Sequence, residues 1–407
     1  MPATRLYAAY HRFFQVYFRL LAHALPGPEP EFIRGVDGLS RLAQRLKARG
    51  VSRALLVTDA GTLAAGLERR LLSALSIQSI GVETYADTAG DPTAANVEGA
   101  LARYRDAACQ ALVGLGGDAP IDCAKGVAVR LAQPKRSLRQ ARGPFWPLRP
   151  ATLLAVIPTT VGAGSEVAMT ASVTDDEGCS KIVVSGLSLM PRIVVLDSAM
   201  IQKGRPRHLT AVAGMNALAR AVEAYLAYGA RAQTRRDARE AVRLVAANLR
   251  LAYVGGENPE IRAAMQKASF LAGKSFARVH GGYAHAIALT LSGHCGVSSS
   301  LANALALPCL LEGYGGAVRR RLAELAGAIG AGRSRMSDAQ RAQAFVSAVR
   351  DLSRALGIPE TVPGLRAKDI PTLAALTLRE ANPLYPVPKV LGLQDMSAIY
   401  ARMIDDR

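Results

Sequence analysis

The chain has 407 residues, half of them hydrophobic and 20% charged. That composition excludes a disordered or low-complexity protein and leaves length for two domains. The formal net charge is +18, from 50 Lys and Arg against 32 Asp and Glu. The basic residues are spread along the chain with no aromatic-lined basic groove, so nucleic acid is not an expected partner.

The first segment, 1–30, reads as an amphipathic helix. Arg5, Arg12 and Arg19 recur on one face, while Tyr10, Phe13, Phe14, Tyr17 and Leu21 line the other. Pro26, Pro28 and Pro30 end it. It lacks the apolar core and cleavage site of a secretory signal. The aromatic face is expected to pack on this protein or on a neighbouring subunit, rather than to anchor at a membrane surface. No run approaches the ~18 apolar residues of a spanning helix. Five cysteines, an odd count without a C-x-x-C pair, indicate neither a disulfide framework nor a structural zinc site and fit a reducing cytoplasm.

From 31 to 205, short apolar runs alternate with helical patterns. Strands are expected at "RALLVTDAG" (53–61), "QALVGLGGDAP" (110–120), "ATLLAVIPTT" (151–160) and "RIVVLDSAM" (192–200), with helices such as "LSRLAQRLKARG" and "AANVEGALARYRDA" between them. Alternation of this kind predicts a parallel α/β sheet with its ligands at the strand C-terminal ends. From 206 to 407 the strand signals vanish, and Ala/Leu/Arg-rich stretches predict an all-helical domain.

Three stretches can carry chemistry. In "LVGLGGDAPIDCAK" a strand runs into Gly116, Gly117, Asp118 and Ala119 and then a helix. This arrangement suits a phosphate at a helix N-terminus, and equally a tight turn capped by Asp118. Thr159 and Thr160 follow a buried strand, where their hydroxyls can bond a phosphate or ribose or simply cap the turn. Asp59, at a strand end, can accept from ribose hydroxyls and repel a 2′-phosphate, or be a plain turn residue. A fourth stretch, "GMNALARAVEAY" (214–225), reads as the start of a helix, with Asn216 and Arg220 on one face.

Together these stretches closely resemble the iron-containing (group III) alcohol dehydrogenases. The resemblance runs through "DPTAANVEGALARY", "GGDAPIDCAK", "IPTTVGAGSEV", "KIVVSGLSLMPRIVVLDSAM", "GMNALARAVEAY", "GYAHAIALTLSG", "SLANALALP" and "ANPLYP", nearly the whole chain. It implies a Rossmann-like dinucleotide-binding domain, a helical domain of the dehydroquinate synthase-like type, and a cleft between them. It also implies reversible hydride transfer between NAD(P) and a small alcohol or aldehyde, and homodimers. Cofactor roles carry over to Asp59 (ribose), the 116–119 turn (pyrophosphate), Thr159, Thr160 and Lys181. On Asp59, NAD is preferred over NADP.

The metal positions depart from the family pattern. Its Asp and His ligands fall on Asn216 and Arg220, a further His on Ser299, and only His285 is kept. The second His of the H-A-x-A-H segment falls on Leu289. A guanidinium offers no lone pair to a cation, and amide and hydroxyl oxygens are poor substitutes for carboxylate and imidazole. A +1 charge ~4 Å from a +2 ion costs about 8 kcal/mol at an effective dielectric of ~20. No tightly bound metal is therefore expected. His280 and His294 flank His285 but lie on other faces of a continuous helix, so no relocated site is expected either. Two readings remain. In one, the protein is a metal-independent oxidoreductase in which Arg220 stabilises the alkoxide and His285 or Tyr283 relays the proton. In the other, it is a non-catalytic nucleotide-binding or structural relative.

Overall fold

The computed structural model describes residues 5–24, 30–88, 90–141, 152–160, 164–175, 181–186, 189–201, 206–255, 258–333 and 335–404. The chain forms two compact units. One comprises Gly27–Arg205 with Glu257–Gln266, the other Met1–Pro26, Pro206–Gly256 and Lys267–Arg407. Cys179 and the 161–163 segment lie outside the described residues.

The first helix, α1 (Arg5–Ala24), belongs to the helical unit. The face that docks on this chain carries Arg12 and Gln15. Arg12 turns inward and donates to the carbonyls of Val387 (2.6 Å) and Pro388 (2.7 Å), with its guanidinium 4.1 Å from the Tyr228 ring centroid. Gln15 donates to Tyr385 O at 2.8 Å. Tyr10, Phe13 and Tyr17 are exposed. The physical reason is the Val387 and Pro388 carbonyls, which take N–H donors that Arg12 supplies and aromatic rings cannot.

The α/β unit follows in chain order. Its strands are β1 (Glu31–Arg34), β2 (Arg53–Val57), β3 (Gly81–Tyr85), β4 (Ala111–Gly116), β5 (Leu153–Pro158), β6 (Thr170–Thr174), β7 (Lys181–Ser185) and β8 (Ile193–Leu196). Six of them pair in the order β1-β8-β5-β4-β2-β3, every pair parallel. β6 and β7 form a separate antiparallel hairpin. The helices are α2 (Gly38–Ala48), α3 (Ala60–Ala64), α4 (Leu67–Ile77), α5 (Ala94–Asp106) and α6 (Asp118–Ala132). Successive strand residues point to opposite faces. Leu55, Leu112 and Val156 accordingly enter one core, and Leu56, Val113 and Ile157 the other. Burial on both faces explains why β2, β4 and β5 are continuous apolar runs. α5 begins with a reciprocal capping box between Thr93 and Asn96.

The helical unit continues with α7 (Arg207–Leu226), α8 (Ala232–Gly255), α9 (Pro259–Ala277, whose residues up to Gln266 count with the other unit), α10 (Tyr283–Cys295), α11 (Ser299–Tyr314), α12 (Arg319–Ala328), α13 (Asp338–Ala355), α14 (Ile370–Ala381) and α15 (Leu393–Ala401). The 214–225 stretch is the second half of α7, not its start. The stretch Ser299–Ala328 is long and apolar enough by composition to cross a membrane, but 67% of its apolar window is buried inside the unit, as in a core helix.

Candidate functional site

In the α/β unit the parallel strands β2, β4 and β5 end at the same edge, and their C-terminal residues meet there. Thr159 N–H donates to Gly116 O at 2.9 Å, which closes the β4–β5 edge. Gly116 has φ +149°, and a Cβ on it would lie 2.6 Å from Pro120 Cγ and 2.8 Å from Asp59 Oδ2. Only glycine fits that backbone. A Cβ on Gly117 would sit 3.2 Å from the Thr160 hydroxyl. The structure thus brings Asp59, Gly116, Gly117 and Thr160 into one cluster at the start of α6, with Asp118 and Ala119 in its first turn.

Asp59 caps α3. Its carboxylate accepts from Thr62 N–H (2.8 Å) and the Thr62 hydroxyl (3.0 Å). Asp118 does not cap α6. Gly117 holds the cap position and Asp118 is the first helical residue. Its Oδ1 accepts from the Ser165 hydroxyl at 2.7 Å. Lys181 sits on the β6–β7 hairpin, where its ammonium meets Asp91 Oδ2 at 2.6 Å and the Thr174 hydroxyl at 2.7 Å.

Sequence reasoning missed Lys125 and Ser165. The Lys125 ammonium, fully buried, donates to the carbonyls of Ser165 (2.6 Å), Ala168 (2.7 Å) and Thr170 (3.0 Å). Carbonyl oxygens on this scale are what an ion removed from water requires. The available signal was Lys125 itself, a charge seven residues after Asp118 and next to the apolar run Gly126–Val129.

In the helical unit, Asn216, Arg220 and Glu223 share one face of α7 by their i, i+4, i+7 spacing. Asn216 is buried, and its amide is engaged at both ends. Nδ2 donates to the Ser300 hydroxyl at 3.1 Å, and Oδ1 accepts from Asn303 Nδ2 at 2.9 Å. This ties α7 to the first turns of α11, where Ser299 is the first residue. Arg220 lies with its guanidinium carbon 5.3 Å from the Phe276 ring centroid, and His285 packs edge-on against the same ring at 5.3 Å. Tyr385 stacks obliquely on His285 at 6.2 Å.

Glu223, also missed from sequence, fixes the start of α10. Its carboxylate accepts from the N–H groups of Ala284 (2.7 Å) and His285 (3.2 Å), and a Cβ on Gly282 would strike it at 2.2 Å. Burial pushes the Glu223 carboxyl up to about 7, against the two backbone bonds and Arg220, which pull it down. The His285 imidazole is pushed down to about 3, first by burial and then by the Arg220 charge. His285 is therefore neutral near pH 7 and a poor store for a proton. Tyr283 begins the same helix. Its hydroxyl donates to Asn382 Oδ1 (3.0 Å) and accepts from Leu391 N–H (3.2 Å), and burial raises it to about 12. Leu289 is buried. His294, at the far end of α10, faces Asp369 at 3.7 Å. Among the described residues, no three His, Cys, Asp or Glu side chains are grouped to hold an ion.

The parallel sheet and the all-helical unit together form the architecture seen in the solved structures of similar alcohol dehydrogenases. The chain belongs to the iron-containing alcohol dehydrogenase family. The pattern described as "Iron-containing alcohol dehydrogenase" matches residues 29–198, and that of the family's C-terminal domain matches 210–404. A 1,3-propanediol dehydrogenase from Klebsiella pneumoniae is 32% identical over 370 residues, 90% of this chain and 95% of that protein. An NAD-dependent methanol dehydrogenase from Bacillus methanolicus is 28% identical over 372 residues, 91% of this chain and 97% of that protein. The solved structure of an alcohol dehydrogenase from Oenococcus oeni superposes with a TM-score of 0.88 at 26% identity, covering 93% of this chain and 100% of that one.

Proposed function

We propose that this oxidoreductase interconverts a small alcohol and its carbonyl compound with NAD as the hydride carrier, and that it does so without the family's divalent metal. The observation that carries the reading is the state of Asn216 and Arg220. At the positions that match the family's Asp and His ligands stand an amide already bonded to Ser300 and Asn303 and a permanent cation. The depression of His285 by Arg220 is the electrostatic sign of that cation. These residues do not fit iron or zinc, because a divalent ion would meet a like charge and ligands lacking an anion. The Arg220 guanidinium instead supplies positive charge and N–H donors to the alkoxide oxygen, which is negative before hydride leaves the carbon and becomes so again when hydride returns to the carbonyl carbon. Neutral His285 bonds that oxygen, and the alcohol's proton is released to water. NAD is supported by Asp59, whose carboxylate disfavours a 2′-phosphate, and by the name of the B. methanolicus relative.

A second reading, a non-catalytic nucleotide-binding relative, is favoured by buried Leu289 at the place of the family's second His and by the engaged hydroxyl of Tyr283. One set of measurements separates the two. The first expects NADH fluorescence enhancement, turnover of an alcohol or aldehyde that survives chelation, and a loss of roughly a hundredfold in kcat/KM for Arg220→Ala. Binding without turnover across an alcohol and aldehyde panel supports the second. Stoichiometric iron or zinc in protein purified without added metal, lost on His285→Ala, overturns the metal-free reading.

A further inference from the structure

A carboxylate on the first residue of α6 is unusual company for a pyrophosphate. The helix N-terminus attracts anions, and Asp118 is an anion built into the place where the diphosphate would arrive. Its orientation therefore decides whether the cradle is usable. That orientation is set by Ser165, whose hydroxyl donates to Asp118 Oδ1 at 2.7 Å. Ser165 is buried and cannot drift. Its own carbonyl is held by the Lys125 ammonium at 2.6 Å, and Lys125 lies two turns further along α6. The left-handed residue Gly164, φ +67°, turns the chain into this position. The contacts form a closed loop: α6 carries Lys125, Lys125 fixes Ser165, and Ser165 holds the side chain at the head of the same helix. The Asp118 carboxylate is thereby tied to a residue that is itself anchored two turns along α6.

We propose that Ser165 is a positioning residue for dinucleotide binding, a latch that keeps the Asp118 carboxylate off the pyrophosphate. The inference rests on the NAD reading of this turn. Ser165→Ala frees the carboxylate to rotate toward the N–H groups at the helix end, where it competes with the diphosphate and repels it.

The test is NADH titration by fluorescence of the full chain as wild type, Ser165→Ala, Asp118→Asn and the double variant. Ser165→Ala is expected to weaken binding about tenfold, equivalent to ~1.4 kcal/mol. The deficit should shrink as salt screens the repulsion. In the Asp118→Asn background, where the released side chain carries no charge, Ser165→Ala should cost less than about twofold. The Lys125 bonds involve main-chain carbonyls and survive both substitutions, so the unfolding temperature serves as a control that should stay near wild type. Wild-type affinity in Ser165→Ala overturns the latch. So does an equal, salt-independent loss in the Asp118→Asn background, which would make Ser165 merely structural. Failure of both wild type and Asp118→Asn to bind NADH overturns the NAD reading, and the latch with it.

Discussion

The two units treat their chemistry differently. In the α/β unit, the cluster of Asp59, Gly116, Gly117 and Thr160 is built mainly from backbone: a left-side glycine, a close approach, and the open N–H groups of α6. In the helical unit, the cluster of Asn216, Arg220, His285 and Ser299 is built from side chains alone. A site made of backbone survives changes of side chain so long as nothing blocks it. A site made of side chains changes its chemistry with each substitution. The first has absorbed Asp118 by tying it to Ser165. The second, under the proposed function, carries the Arg220 cation where the resemblance expects a metal ligand.

The comparison predicts its own failures. The largest effect is expected from rebuilding the side-chain site. The triple variant Asn216→Asp, Arg220→His, Ser299→His, together with His285, should bind about one equivalent of zinc. Elemental analysis after dialysis reads this directly, and a triple variant that stays metal-free would show that the surrounding helices, not these side chains, set the chemistry. Next comes the backbone site. Gly116→Ala should abolish measurable NADH binding and lower stability by roughly 3 kcal/mol, through the strained φ and the clash with Pro120. Ala119→Ser, a side-chain change on the same turn, should alter NADH affinity by less than about threefold. Equal effects from the two substitutions would break the distinction.

The smallest effect is a pH slope. The folded-state carboxyl of Glu223 titrates at about 7, above its ordinary 4.5, so the folded chain holds a proton that the unfolded chain has released. Its contribution is full below pH 4.5 and is lost as pH rises through 7. His285, pushed from 6.5 down to about 3, works the other way, its contribution present above 6.5 and lost on acidification toward 3. The two slopes oppose each other between 4.5 and 6.5. Glu223→Gln removes one of them, so the unfolding free energy of the variant, from urea titrations, should climb relative to wild type between pH 4.5 and 7 by up to about 3 kcal/mol. The slope is diagnostic, because the amide also shifts the baseline by placing N–H against N–H. Parallel profiles for the two proteins would refute the buried, raised carboxyl.

The sequence was most informative where one physical demand dominates. β2, β4, β5 and β8 must be apolar on both faces, and their runs are visible by eye. β1 and β3 are short and largely half-exposed, and β6 and β7 alternate polar residues, so their signals sink into the surrounding loops. In the site, the Gly116-Gly117 turn shows because a backbone need selects a residue type. The Ser165–Asp118 and Lys125–Ser165 contacts join residues 47 and 40 positions apart, and nothing in a single chain announces such a pairing. Glu223 was within reach, one turn beyond Arg220 on the same face. The docking of Arg12 was not legible, because hydrophobicity alone does not register that the Val387 and Pro388 carbonyls accept from it.

That docking of α1 has a consequence for biogenesis. Arg12 and Gln15 find their acceptors 370 to 376 positions later. Until the 385–388 segment is synthesised, α1 lacks the carbonyls that seat Arg12 and Gln15. Tyr10, Phe13 and Tyr17 are exposed even after docking, so seating the helix leaves their apolar surface uncovered on this chain.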